Sequence, residues 1–170
     1  AKPISIQDSK TGFSGFLNLY GLLQQADLKT NAGLDPALKA QGNQNLTGFR
    51  PMPLFDLRKS TFIGQNETNN MQAFLDIAAK YGIRHIIAVL SDAAVANEPL
   101  RQAIQNEQSR KALFDQLRPF IQKFGLAKVN GTQIIWELVN EIQDVGGTVT
   151  NRQKQVFVEK FIEEVIIPAA

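Results

Sequence analysis

A mixed α/β fold of four successive strand-helix units is the class this sequence predicts, and three observations predict it. From about residue 13 onward, short apolar runs bounded by Gly, Pro and Asn alternate with stretches whose apolar residues recur every three or four positions. That alternation is the signature of βα units on a parallel sheet. The clearest run, residues 83–90, is apolar at nearly every position, as a strand covered on both faces must be. No linker, composition shift or low-complexity stretch interrupts the 170 residues, so one domain over 1–170 is expected.

The first strand falls at 13–20, with Gly15 as punctuation, and a helix follows at 34–40, where Pro36 suits a first turn. Residues 48–55 are apolar and bounded by turn residues, but Pro51 and Pro53 cannot donate to a ladder, so this second strand must be short or irregular. Residues 68–81 place Met71, Phe74, Leu75 and Ala78 on one helical face, and Gly82 stands where helices end on a left-handed residue. After the third strand at 83–90, Asn97 is placed to cap a short helix with Pro99 in its first turn. Leu113, Leu117, Phe120, Ile121 and Phe124 then form an apolar stripe over 109–125, which Pro119 should kink. The fourth strand covers 132–139, and a loop through Gly146 and Gly147 leads to Asn151. In the last helix Val158, Phe161, Ile162 and Val165 are expected inward, with Glu159, Lys160, Glu163 and Glu164 toward water. A sheet of four such units leaves two edge strands, and unpaired ladder groups beside apolar surface recruit a partner or a second copy.

Composition removes several classes of function. The 18 basic and 16 acidic residues give a net charge of +2 without dense Lys/Arg runs, so a nucleic-acid partner is not expected. No apolar run approaches the ~18 residues of a membrane span, and the start Ala1-Lys2-Pro3-Ile4 lacks a signal-peptide core. Zero cysteines exclude disulfides, thiolate metal sites and a cysteine nucleophile. A single histidine, no Gly-rich phosphate loop and no G-x-S-x-G elbow leave no basis for a metal or a cofactor. Three Asn-x-Ser/Thr sequons, at Asn45, Asn66 and Asn130, are either glycan acceptors or chance in a chain rich in Asn and Thr.

The chemistry-bearing segment is Gln133-Ile-Ile-Trp-Glu-Leu-Val-Asn-Glu141, an apolar strand ending in an amide and a carboxylate side by side. Asn-Glu also occurs at Asn66-Glu67, Asn97-Glu98 and Asn106-Glu107, but only Asn140-Glu141 directly follows an apolar β-type run. Only there does Trp-Glu-Leu-x-Asn-Glu occur, on Trp136, Glu137, Leu138, Asn140 and Glu141. This pattern resembles the fourth-strand motif of the clan A glycoside hydrolases, especially the family 5 β-mannanases and related cellulases.

The resemblance, which covers roughly residues 48–165, implies a parallel (βα)4 half of a TIM-type (β/α)8 barrel, a fold that needs ~250 residues when complete. It implies a secreted protein, extracellular or periplasmic, that takes β-linked oligo- or polysaccharides of plant or microbial type and hydrolyses them with retention. Glu141 would be the acid/base, Asn140 would bind the sugar 2-hydroxyl, and Arg50 would match the arginine that these enzymes place beside the nucleophile. Asp92, just past the third strand, is placed either for substrate contact or for a turn. Arg50, Asn140 and Glu141 are expected to converge at the strand ends. Two departures stand out: Ile142 replaces the proline that usually follows the acid/base, and the nucleophile of strand seven has no counterpart in these residues. The chain alone should turn nothing over, with the missing half of the barrel or self-association supplying its partner. The alternative is a non-catalytic sugar-binding or structural half-barrel that has kept the motif.

Ordinary structural roles compete at each position. An Asn-Glu pair can turn the chain and cap a helix. His85 lies early in its strand, where a core histidine is expected, and Trp136 inside a strand should pack. Glu137 needs a basic partner such as Arg50 or Arg84 if it is buried.

Overall fold

The computed structural model describes residues 16–20, 48–52, 54–127 and 131–170. They form a mixed α/β domain with a parallel sheet and four main helices. The strands are β1 (Phe16–Tyr20), β2 (Gly48–Met52), β3 (His85–Asp92) and β4 (Gln133–Asn140), adjacent in sequential order. The helices are α1 (Gln65–Lys80), α2 (Ala93–Gln105), α3 (Glu107–Phe124) and α4 (Asn151–Phe161). The expected helix at 34–40 and sequons Asn45 and Asn130 lie outside the described residues.

β2 is as short as its prolines demand. Leu54, the first residue beyond Pro53 with an amide to give, donates to Val89 O at 2.7 Å. β3 and β4 pair over nearly their full length, from His85↔Gln133 to Asp92↔Asn140. Side chains alternate across a strand, so Ile86, Ala88 and Leu90 share a face with Ile134, Trp136 and Leu138, and that face joins the helices in one core. Aromatic rings fill it: Phe120 meets Phe55 edge-on at 4.9 Å, and Phe114 stacks on Phe157 at 5.8 Å.

Helix boundaries show where local chemistry overrode the apolar pattern. α1 starts at Gln65, three residues before the apolar pattern indicated, because Glu67 Oε2 accepts the Gly64 amide at 3.0 Å and closes the first turn. It ends as expected, with Gly82 at φ +71°. The helix expected to be capped by Asn97 begins earlier: Asp92 is the cap, its Oδ1 accepting Ala94 N–H at 2.8 Å. A kink at Ala96 (φ −123°, ψ 37°) then restarts the helix. Pro99 accounts for it, since its ring conflicts with the carbonyl four residues back. Pro119, where the kink was expected, lies within a helix that runs unbroken from Glu107 to Phe124.

The last helix corrects another expectation. α4 continues through a π turn at Ile162–Ile166 into a final turn at Ile167–Ala169. Phe157, Phe161 and Val165 are buried, whereas Val158 is half-buried and Ile162 is 45% exposed. Spacings of four from Phe157 to Phe161 to Val165 define the inward face, and the wide turn keeps Val165 on it. Ile162, Val158 and Ile166 instead line an apolar groove of about 400 Å³ beside β4, with Leu126, Ile135 and Trp136. At its rim the Gln133 side-chain amide donates to Leu126 O at 2.8 Å and Ile134 O at 3.1 Å.

Candidate functional site

The parallel register brings the ends of β3 and β4 level, setting Asp92 beside Asn140. Asn140 Nδ2 donates to Asp92 Oδ2 at 3.2 Å. Asp92 is only 4% exposed, and its other oxygen caps α2. One buried carboxylate thus ties the end of β4 to the start of the helix after β3. Such a partner fixes which way an amide points.

Glu141 is the next residue, and it is exposed. Its backbone is left-handed (φ 55°, ψ 43°), and it is the only non-glycine at positive φ among the described residues. The conformation follows from the chain reversal: Glu141 O accepts Asp144 N–H at 2.8 Å as the chain leaves the sheet for a single 3₁₀ turn at Ile142–Asp144. A side chain held there costs ~1–2 kcal/mol. We therefore expect Glu141→Gly to stabilise the fold by about 1 kcal/mol in chemical denaturation, once glycine's own entropy cost is deducted. A destabilised Glu141→Gly protein would show that the left-handed geometry carries no strain.

The loop after Glu141 is held from both sides. Lys154, buried on α4, donates Nζ to Gln143 O at 2.7 Å, and Val145 is buried beneath the loop. From α2, Asn97 Nδ2 donates to Asp144 O at 2.9 Å while its Oδ1 accepts Gly146 N–H at 3.3 Å. Sequence reasoning missed both residues. Lys154 did leave a signal, a charge in register with Phe157 and Phe161 on the inward face of α4. For Asn97 there was none, because its partners lie 47 and 49 residues away.

Arg50 does not join this group along the sheet. Its neighbour Phe49 pairs with Ile86, six residues before Asp92. At the ~3.3 Å rise of a parallel strand, the Arg50 backbone stands roughly 16 Å short of the level of Asp92 and Asn140. The convergence of Arg50 with Asn140 and Glu141 at the strand ends is therefore not what the register provides; the Arg50 side chain lies outside the described residues.

Other residues fill structural roles. Trp136 packs edge-on against Phe120 and donates Nε1–H to Gly125 O at 3.1 Å. His85 is buried at the start of β3. In the Asn-Glu pair at 97–98, Glu98 takes bonds from Gln102 and Arg101 on the helix surface, and these hold its carboxyl below the ordinary range. Among the described residues no cluster of His, Asp or Glu could hold a metal, and no helix is long and apolar enough to cross a membrane. What the site offers chemically is an exposed carboxylate beside an amide that a buried carboxylate orients. The chain matches no family model, no curated protein and no solved structure.

Proposed function

We propose that this domain is the (βα)4 N-terminal part of a secreted, retaining glycoside hydrolase acting on plant- or microbial-type β-glycans, with Glu141 as its acid/base. The observation that carries the reading is Glu141 itself: an exposed glutamate at the carboxyl end of a parallel strand, in a left-handed conformation. Active sites of (β/α)8 enzymes collect at that end of the strands, and strained backbone concentrates at functional residues. Asn140, oriented by Asp92, would donate to the sugar 2-hydroxyl, a bond that strengthens as the oxocarbenium-like transition state forms. Glu141 would first protonate the leaving oxygen and then deprotonate the incoming water. The nucleophile, a second carboxylate ~5–5.5 Å away, would come from a further strand.

The test uses a polypeptide that joins residues 1–170 to the strand bearing the nucleophile. Glu141→Gln should reduce hydrolysis of unactivated β-mannan and β-glucan oligosaccharides by ~100-fold or more, the usual contribution of a general acid. Aryl β-glycosides with good leaving groups need no proton in the first step, so their release of phenol should fall much less. Equal loss on both substrates would overturn the assignment. A non-catalytic sugar-binding or structural half-barrel is the second reading, favoured by both Asp92 oxygens being engaged within the fold; it predicts no hydrolysis by any such polypeptide.

A further inference from the structure

Asn97, Arg101 and Gln105 stand four residues apart on α2, a spacing that puts side chains on one helical face. All three meet the loop between β4 and α4. Asn97 engages Asp144 and Gly146 as described; Arg101 lies across Gly147, where a Cβ would stand 3.0 Å from its Cδ. Gln105 Nε2 donates to Thr148 Oγ1 at 2.9 Å. The stripe therefore follows the loop residue by residue for its central length. Asn97 is the member that reaches toward Glu141, because the carbonyl it holds belongs to Asp144, whose amide donates to Glu141 O at 2.8 Å. The kink at Ala96 and the cap at Asp92 fix where α2 presents this face, so the same carboxylate that orients Asn140 also sets the helix bearing Asn97.

We infer that this face of α2 is a clamp on the loop, and that Asn97 is a positioning residue that keeps Glu141 in its left-handed conformation. The clamp is read from the fold alone; its bearing on catalysis rests on the assignment of Glu141 as acid/base. An amide that accepts from one backbone N–H and donates to one backbone carbonyl two residues apart fixes a turn as a strand partner would. Remove it, and the loop can relax into a conformation in which a side chain at 141 is no longer strained.

A double-mutant cycle on the chain tests this. Glu141→Gly alone should raise the folding equilibrium constant about fivefold, the relief expected for one left-handed side chain. In an Asn97→Ala background the gain should fall below about twofold, because the strain has already been released. The same gain in both backgrounds would overturn the inference, since a merely stabilising Asn97 acts additively with position 141. Gln105→Ala, which acts at the far end of the loop, should leave most of the gain in place; a loss as large as that of Asn97→Ala would assign the coupling to general loosening and overturn the role of Asn97. Should Asn97→Ala not fold, Asn97→Asp gives the same reading, because it keeps the acceptor for Gly146 and loses the donor to Asp144. The cycle reads folding only and so is independent of hydrolysis. In an active polypeptide, Asn97→Ala should in addition lower kcat with KM little changed, and a change confined to KM would count against positioning.

Discussion

Phe114→Ala should destabilise the domain by ~3–5 kcal/mol, the cost of deleting a buried phenyl ring from a core that closes only partly around the cavity. Phe114 is fully buried on α3 and stacks on Phe157 of α4 with 24° between the rings, while the Phe161 ring lies 5.9 Å away, tilted by 56°. Both partners belong to α4, so this ring is an apolar tie between the two helices. Against a total stability of ~5–15 kcal/mol for an ordinary domain, the loss takes about a fifth or more. Urea denaturation should show the midpoint falling with an unchanged slope. Phe157→Ala should combine with Phe114→Ala less than additively, because the second deletion enlarges a cavity that the first has already opened. A shift below 1 kcal/mol for Phe114→Ala would mean that α4 does not dock on α3 as described.

Asp92→Ala should cost ~2–3 kcal/mol. The cap accounts for about 1 of these. The remainder comes from depriving the Asn140 amide of a buried, charged acceptor at 3.2 Å. Asp92→Asn keeps an acceptor for Ala94 N–H but turns an amide group toward Asn140, so about half of the loss is expected. In a polypeptide that hydrolyses glycans, Asp92→Ala should also reduce activity, through the orientation of Asn140. Full stability in Asp92→Ala, measured in the same urea titration, would show that neither contact contributes in solution.

Much of this architecture was legible in the residues. The alternation of apolar runs with helical periodicity located β3, β4 and the main helices, because buried parallel strands and amphipathic helices write distinct periods into a sequence. The prolines of β2 announced its brevity for the same reason that they limit it. Boundaries were less legible where polar local chemistry decides them: nothing in an apolar stripe shows that Asp92 will cap α2 or that Pro99 will break it at Ala96. At the site, Asn140 and Glu141 could be located because strand and motif coincide there, and Asp92 because it ends β3. That Asp92 holds Asn140 depends on strand register, which the sequence states only through distant pairs. The left-handed backbone of Glu141 had no sequence signal, since Gly or Asn is the residue that usually marks such a turn. Ile162 sits off the core because the stripe of Phe157 and Phe161 faces inward and the adjacent stripe of Val158 and Ile162 does not, a choice between neighbouring apolar stripes that periodicity alone does not make.

The Gln133 amide at the rim of β4 has a bearing on how this sheet can grow. Gln133 N–H donates to Arg84 O, so the backbone of Gln133 faces β3 and that of Ile134 faces outward. The Gln133 side chain then occupies Ile134 O, the outermost carbonyl at the start of the edge. A strand added beside β4 therefore meets a side-chain amide at its first outward rung, and the next outward-facing residue is Trp136. A single amide thereby guards the N-terminal end of this edge, much as charged or bulged residues guard the edges of other sheets.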